Sequence, residues 1–456
     1  MAECNAARLE SKAPDGRVFT TSFDGGAITS DGGVLLLQEV EKRCRILERF
    51  GECFVDFRNP KLITHSAQQL ATQRVLALAL GYEDLSDHDA LRSDPLLTSV
   101  AGKHERSGQL LASSATLGRV ENASPGLAEG DRHRRMYVDF GRVDRLMADL
   151  FIESQETPPS EVILDLDATD AKIHGKQQGR FFHGYYDEYC YLPLYIFAGD
   201  HVLGARLRRA NTDGADGSVE ELERIVPRLR EAWPEVRIVV RADSGFCRDW
   251  LLTWCEEHNV DYVIGTARNA RLEALLAPSL EEAKRRHDRS LRPERVFTDL
   301  EYQTRTTWSR SRRVVGKAEH LQRGANPRFV VTSFSAEEWE ARALYEELYC
   351  ARGDMENRIK EQQLDLFADR VSCHWERGNQ TRLYFSAIAY TLLEALRRLG
   401  LSGTEMARAQ CGTIRLRLLK VGARIRSTAR RIWVHCSEHH PWQREFVAAW
   451  RRLRTA

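Results

Sequence analysis

Three acidic positions, far apart in the chain, stand in contexts suited to metal-ion chemistry. Asp165 and Asp167 lie in EVILDLDATD (161–170), an apolar, β-branched run that reads as a strand. Strand alternation puts both on one face with Ile163 and Thr169. Asp243 ends a second strand-like run, VVRAD, at the exit where open α/β sheets build ligand sites. Glu356 sits in YCARGDMENRIKEQQ, which reads as a helix. Arg352, Glu356 and Lys360 are spaced at i, i+4 and i+8 and share one helix face, with Tyr349 one turn earlier. Mg²⁺ prefers carboxylate oxygens and keeps several waters. Two such ions ~3.5–4 Å apart can activate an attacking hydroxyl and stabilise the leaving oxygen of a phosphoryl displacement. Mn²⁺ is an alternative ion for the same donors. Arg352 and Lys360 would then be cationic partners for phosphate. Each acid alone also has an ordinary reading, as strand-end acid, turn acid or helical ion-pair partner. Two aspartates buried in strands without positive partners would be costly, which weakens those readings jointly.

The elements that must position these acids follow from periodicity. Residues 1–155 read as a mainly helical DNA-binding or dimerisation region. It holds a candidate helix from Val34 to Phe50, another from Ala67 to Leu80 with Ser66 as N-cap and Gly81 as stop, and a last from Arg134 to Phe151. The segment SSATLGRVEN (113–122) reads as either a small recognition helix or a packing helix. Residues 156–266 follow the order β-β-β-α-β-α-β, a mixed sheet covered by helices. The stretch 267–337 reads as a β-rich insertion, 338–402 as a helical completion of the core, and 403–456 as a basic C-terminal region. The gap between Asp243 and Glu356 far exceeds a typical loop of ~4–6 residues, so an inserted domain is expected there.

Composition narrows the field. The chain has 456 residues, 42% hydrophobic and 29% charged, which excludes disordered, collagenous and small disulfide-stapled classes. No run approaches the ~18 apolar residues of a spanning helix, and no export signal is visible, so a cytoplasmic protein is expected. The ten cysteines lack C-x-x-C pairs and read as reduced thiols. Cys436, His439 and His440 read as a surface turn in preference to a zinc site. The formal net charge is only +1. Positive charge is nevertheless concentrated: thirteen Lys and Arg against five acids over 284–328, and twelve against three over 403–456. Two basic blocks around one acidic constellation point to a polyanionic ligand. In the first block Arg312, Arg313 and Lys317 are candidate phosphate contacts.

At these residues the sequence resembles DDE transposases of the bacterial insertion-sequence 1380 group. The resemblance rests on SFDGGAITSDGGVLLL, ILDLDATD, VVRADSGF, NPRFVVTSF, YCARGDMENRIKE, NQTRLYFSAIAY and IRLRLLKVGARI, and covers nearly the whole chain. It implies a ribonuclease H-like core with a β-rich insertion before the catalytic glutamate. It also implies Mg²⁺-dependent cleavage and joining of double-stranded DNA at terminal inverted repeats and target sites, by a homodimer acting on the bacterial nucleoid. Asp167 matches the first catalytic aspartate, Asp243 the second and Glu356 the glutamate, with Tyr349 and Arg352 filling the helix signature. Asp165 is the alternative first carboxylate. The signature's downstream lysine is missing: Gln363 occupies its place, and Lys360 is the nearest cation. Three other readings compete: a ribonuclease H-like nuclease without strand transfer, an inactive DNA-binding descendant, and a glycosyltransferase using Asp165-Leu166-Asp167 as a DxD motif.

Overall fold

The computed structural model describes residues 8–103, 109–127, 131, 133 and 135–455. The chain divides into two compact units, Met1–Val120 with Ile388–Ala456, and Glu121–Ala387.

The second unit is built on a mixed sheet of eight main strands. These are β1 (Glu161–Ala168), β2 (Leu194–Ala198), β3 (His201–Arg206), β4 (Arg237–Ala242), β5 (Asp261–Thr266), β6 (Glu294–Tyr302), β7 (Arg312–Leu321) and β8 (Arg328–Thr332). Their order across the sheet is β3-β2-β1-β4-β5-β8-β7-β6, with the short strand Gly324–Ala325 beside β7. β2 pairs antiparallel with β1 and β3, whereas β1, β4 and β5 run parallel. The helices are α1 (Phe140–Ser154), α2 (Ser218–Ala232), α3 (Asp249–Glu257) and α4 (Ala270–Ser290).

Alternation along the strands sorts side chains to two cores. Leu164 and Leu166 of β1 and Val240 and Ala242 of β4 join a layer containing Leu222 and Ile225 of α2, Leu251 of α3 and Leu276 of α4. The opposite face carries Val239, Val263, Val315 and Val330, packed under Leu344, Tyr345 and Leu348. Those three residues belong to one helical run, 341–365, whose hydrogen-bonding passes from α through π (Leu344–Tyr349), 3-10 and α (Gly353–Lys360) to π again (Glu361–Asp365). Such π turns are uncommon and concentrate at functional sites. Ile163 packs against this second layer. The period of two therefore turns Asp165 and Asp167 toward the same face, as the sequence predicted.

The strands of the stretch 267–337 extend the same sheet, β8 pairing with β5 and with β7. Residues 121–155 belong to the unit of that sheet, and 403–456 fold with the amino-terminal helices. The strand Ala423–Ser427 pairs with Ile28–Thr29, and buried Asp31 accepts from Tyr82 at 2.7 Å and pairs with Lys420 at 2.7 Å. The run Val34–Phe50 breaks into two helices at Arg45, which takes a left-handed conformation (φ 51°). The Glu41 carboxylate accepts from the Leu47 and Glu48 amides there, capping the second helix. Ser66 and Gly81 bound their helix as predicted, through a capping box with Gln69 and a left-handed glycine. The helix Ser114–Glu121 buries Leu117 and Val120, which fits the packing reading.

Candidate active site

Asp167 stands near the carboxyl end of β1. β4 runs parallel to β1 with Ala242 opposite Leu166, so the next residue, Asp243, leaves β4 at the level of Asp167. Asp243 is fixed by its own turn: its Oδ1 accepts from the Gly245 amide at 2.8 Å, capping the 3-10 turn Ser244–Phe246. Glu356 arrives from the helical run over this face. One guanidinium joins the groups. Arg352 Nη2 donates to Glu356 at 2.8 Å, and Nη1 lies 3.5 Å from Asp167 Oδ2. That Nη1 is buried and makes no hydrogen bond.

The electrostatics are those of a strained acid cluster. Burial pushes Asp167 up to about 6; Arg352 pulls it down, while Asp243 and Glu356 push it up further. Burial works against the charge on Arg352, yet Asp167, Asp243 and Glu356 together hold its proton more tightly than usual. Burial also raises Tyr349, with Arg352 opposing and Asp243 reinforcing. The Tyr349 hydroxyl lies over Gly265 of β5. A methyl group at Gly265 would come within 2.5 Å of Tyr349 Oη and 3.0 Å of the Ser244 amide nitrogen.

Asp165 has a different environment. It is buried and forms a bidentate pair with buried Arg241, at 2.5 Å to Nε and 2.8 Å to Nη2. Arg241 Nη1 donates to the Leu348 carbonyl at 2.6 Å. Burial raises Asp165 and Arg241 pulls it back. Both oxygens are thus engaged inside the protein, and β1 is clamped to β4 and to the helical run above. Sequence reasoning missed this role of Arg241, although an arginine inside VVRAD between buried neighbours needs an internal acid.

Gln363, in the place of the signature lysine, reaches the same strand end. Its Nε2 donates to Thr169 Oγ1 at 3.2 Å and to the Asp170 carbonyl at 2.9 Å. Lys360 is exposed. Arg312, Arg313 and Lys317 are not assembled here as free cations. Arg312 is buried and paired with Asp249 and Glu256, Arg313 with Asp299, and Lys317 with Glu319. Each of the three thus has a carboxylate partner within the protein.

Among the described residues, no three His, Cys, Asp or Glu side chains gather closely enough to cage an ion as they stand. That holds equally for Cys436, His439 and His440. The donor chemistry around Asp167 does fit a hard divalent cation: carboxylates from three elements, with a raised Asp167 that added positive charge would relieve. Among the described residues no helix is long and apolar enough to cross a membrane.

The chain belongs to the DDE transposase domain family: Transposase DDE domain group 1 matches residues 12–456. No curated protein matches the chain.

Proposed function

We propose that this protein is the transposase of an insertion sequence of the 1380 group, with a ribonuclease H-like core. It would bind the element's terminal inverted repeats as a homodimer in the bacterial cytoplasm, cut the DNA there and join the freed ends to target DNA. The observation that carries this reading is Arg352, which ties the acid at the end of a central strand to the acid on a helix 189 residues later, beside Asp243. The sheet supports it too: an antiparallel β3-β2-β1 meander followed by parallel β4 and β5.

Asp167, Asp243 and Glu356 are the residues that would hold Mg²⁺ or Mn²⁺. When bound, a pair of such ions stabilises the attacking and leaving oxygens of an in-line displacement at phosphorus. The protein's own groups do the rest. Arg352 places fixed positive charge where a phosphodiester must lie. Tyr349 stands over Gly265, beside the turn that carries Asp243. Gln363 ties the helical run to the end of β1, and exposed Lys360 is available to DNA phosphate. Arg241 engages both Asp165 oxygens, which removes one of the two carboxylates a metal-binding Asp165-Leu166-Asp167 motif would offer and disfavours a DxD glycosyltransferase.

The test is a labelled duplex carrying an element end, incubated with the protein and Mg²⁺, with the cut strands mapped. Alanine at 167, 243 or 356 should abolish cleavage and spare end binding. Cleavage at the wild-type rate by Asp243→Ala would end the proposal. Cutting without joining of ends to a target plasmid would favour a nuclease.

A further inference from the structure

The basic charge of the sequence is distributed unequally once folded. In the block 284–328 at least seven of the thirteen cations pair with carboxylates of the same unit. The C-terminal region is different. Residues 406–437 contain eight Lys and Arg and no Asp or Glu. Within it, Arg415 donates to the Ala79 carbonyl, Arg417 stacks on Trp442 at 4.1 Å, and Lys420 pairs with Asp31. Among the described residues, four arginines of a β-hairpin have no acidic partner.

That hairpin joins Ala423–Ser427 to Ile432–Cys436 in antiparallel register, with Arg424 opposite His435 and Arg426 opposite Trp433. Ala423 and Ile425 are buried and Arg424 and Arg426 exposed, so the period of two puts both arginines on the outer face. The turn is closed by the Thr428 amide donating to the Arg431 carbonyl at 2.8 Å, which presents exposed Arg430 and Arg431 at the tip. Trp433 lies between two of the four: Arg426 is 5.6 Å and Arg431 5.7 Å from its ring centroid. The ring offers these guanidinium groups a packed position without neutralising them.

We infer that the outer face of this hairpin is a docking surface for the sugar–phosphate backbone of duplex DNA, gripped by Arg424, Arg426, Arg430 and Arg431. The occupant follows from charge: four exposed arginines on one two-stranded ribbon, with no acid in residues 406–437, complement a polyanion of regular phosphate spacing. The inference deepens the transposase reading and rests on it for the choice of DNA. It adds to the 284–328 block, where at least seven of the thirteen cations are paired internally, a site of backbone contact on the amino- and carboxyl-terminal unit.

The experiment uses the full chain and a fluorescent duplex, with binding followed by anisotropy from 50 to 300 mM KCl. Replacing all four arginines by Gln should weaken binding at least about tenfold near 100 mM salt and flatten the slope of log K against log [KCl] by about 3–4, since each phosphate contact adds roughly 0.9. The matching Arg→Lys protein should keep most of the slope. If the Gln protein fails to fold, as read by circular dichroism, R430Q/R431Q at the turn tip should still lower the slope by about 2. An unchanged slope and affinity in a folded Gln variant would overturn the inference while leaving Mg²⁺-dependent cutting intact. Equal binding of a single strand of the same length would overturn the assignment to duplex. Conversely, hairpin-dependent duplex binding by a wild-type protein that never cuts DNA would refute the transposase reading and leave this surface standing.

Discussion

Replacing Asp167 with Asn should make the protein more stable and catalytically dead at once. The side chain is mostly covered, at 16% exposed, and its carboxyl is pushed up to about 6 from an ordinary aspartate value of 3.8, by burial first and, against the pull of Arg352, by Asp243 and Glu356. That net displacement already contains the attraction of Arg352. A shift of ~2 units corresponds to about 3 kcal/mol between the two protonation states. The acid's affinity for its proton is raised on folding, so folding is favoured most below about 4, where both states are protonated. This advantage is lost as pH rises through about 6, and above it the folded chain carries the whole cost of about 3 kcal/mol. Asn keeps the shape and removes the charge at every pH. Urea unfolding in EDTA should therefore show the Asn variant more stable than wild type by up to about 3 kcal/mol at pH 8, with the gap closing toward pH 4. Mg²⁺ should narrow the gap at pH 8 by stabilising the wild type alone. An Asn variant no more stable than wild type at pH 8 in EDTA would refute the reasoning, because it would mean the charge on Asp167 is already compensated.

Three further outcomes are expected. Arg241→Ala leaves Asp165 buried and uncompensated and should cost ~3–5 kcal/mol in urea unfolding, whereas D165L/R241M, which removes both charges, should recover most of it. Gly265→Ala should lower the cleavage rate at least about tenfold through the clash with Tyr349 Oη and destabilise by about 1–3 kcal/mol in urea unfolding; adding Tyr349→Phe, which deletes the clashing oxygen, should restore part of both, and a double variant no faster than the single would exclude the steric route. Gln363→Ala deletes two hydrogen bonds to the end of β1 and should cost about 1–3 kcal/mol in unfolding and weaken Mn²⁺ binding measured by electron paramagnetic resonance.

Much of this architecture was written in local pattern. The alternation in EVILDLDATD fixed the face of Asp165 and Asp167, because a one-residue slip would bury both acids in the layer of Leu164 and Leu166. Ser66 and Gly81 marked helix ends because their chemistry is local. What was not legible depends on pairing between distant segments. Strand runs at 294–302, 312–321 and 328–332 look alike whether they form their own sheet or extend another, and only the β5–β8 register decides. The basic block misled for the same reason. Arg312 reads as an exposed cation in SRSRRVV, yet Asp249, Glu256 and Thr253 of α3 surround it. Counting charge along a chain cannot reveal which carboxylate folds against which arginine.

The pair Asp165 and Asp167 shows how that distinction creates a site. The two residues have the same type, the same strand and the same face, and each meets an arginine. Arg241 stands directly across the parallel register from Asp165 and donates to both of its oxygens, so that carboxylate has become part of the scaffold. Arg352 comes from the helical run, divides itself between Asp167 and Glu356, and stays 3.5 Å from the former. Asp167 is consequently under-compensated, as its raised proton affinity records, and a further cation near it would be stabilising. A buried acid with too little positive charge weakens a fold, and the sheet tolerates it because Asp165 and Arg241 clamp the same strand two residues away. The order of the two aspartates puts the scaffold acid inside the sheet and the other at the strand exit, where Oδ1 accepts from the Ala168 amide at 3.0 Å and Oδ2 lies 3.5 Å from Arg352.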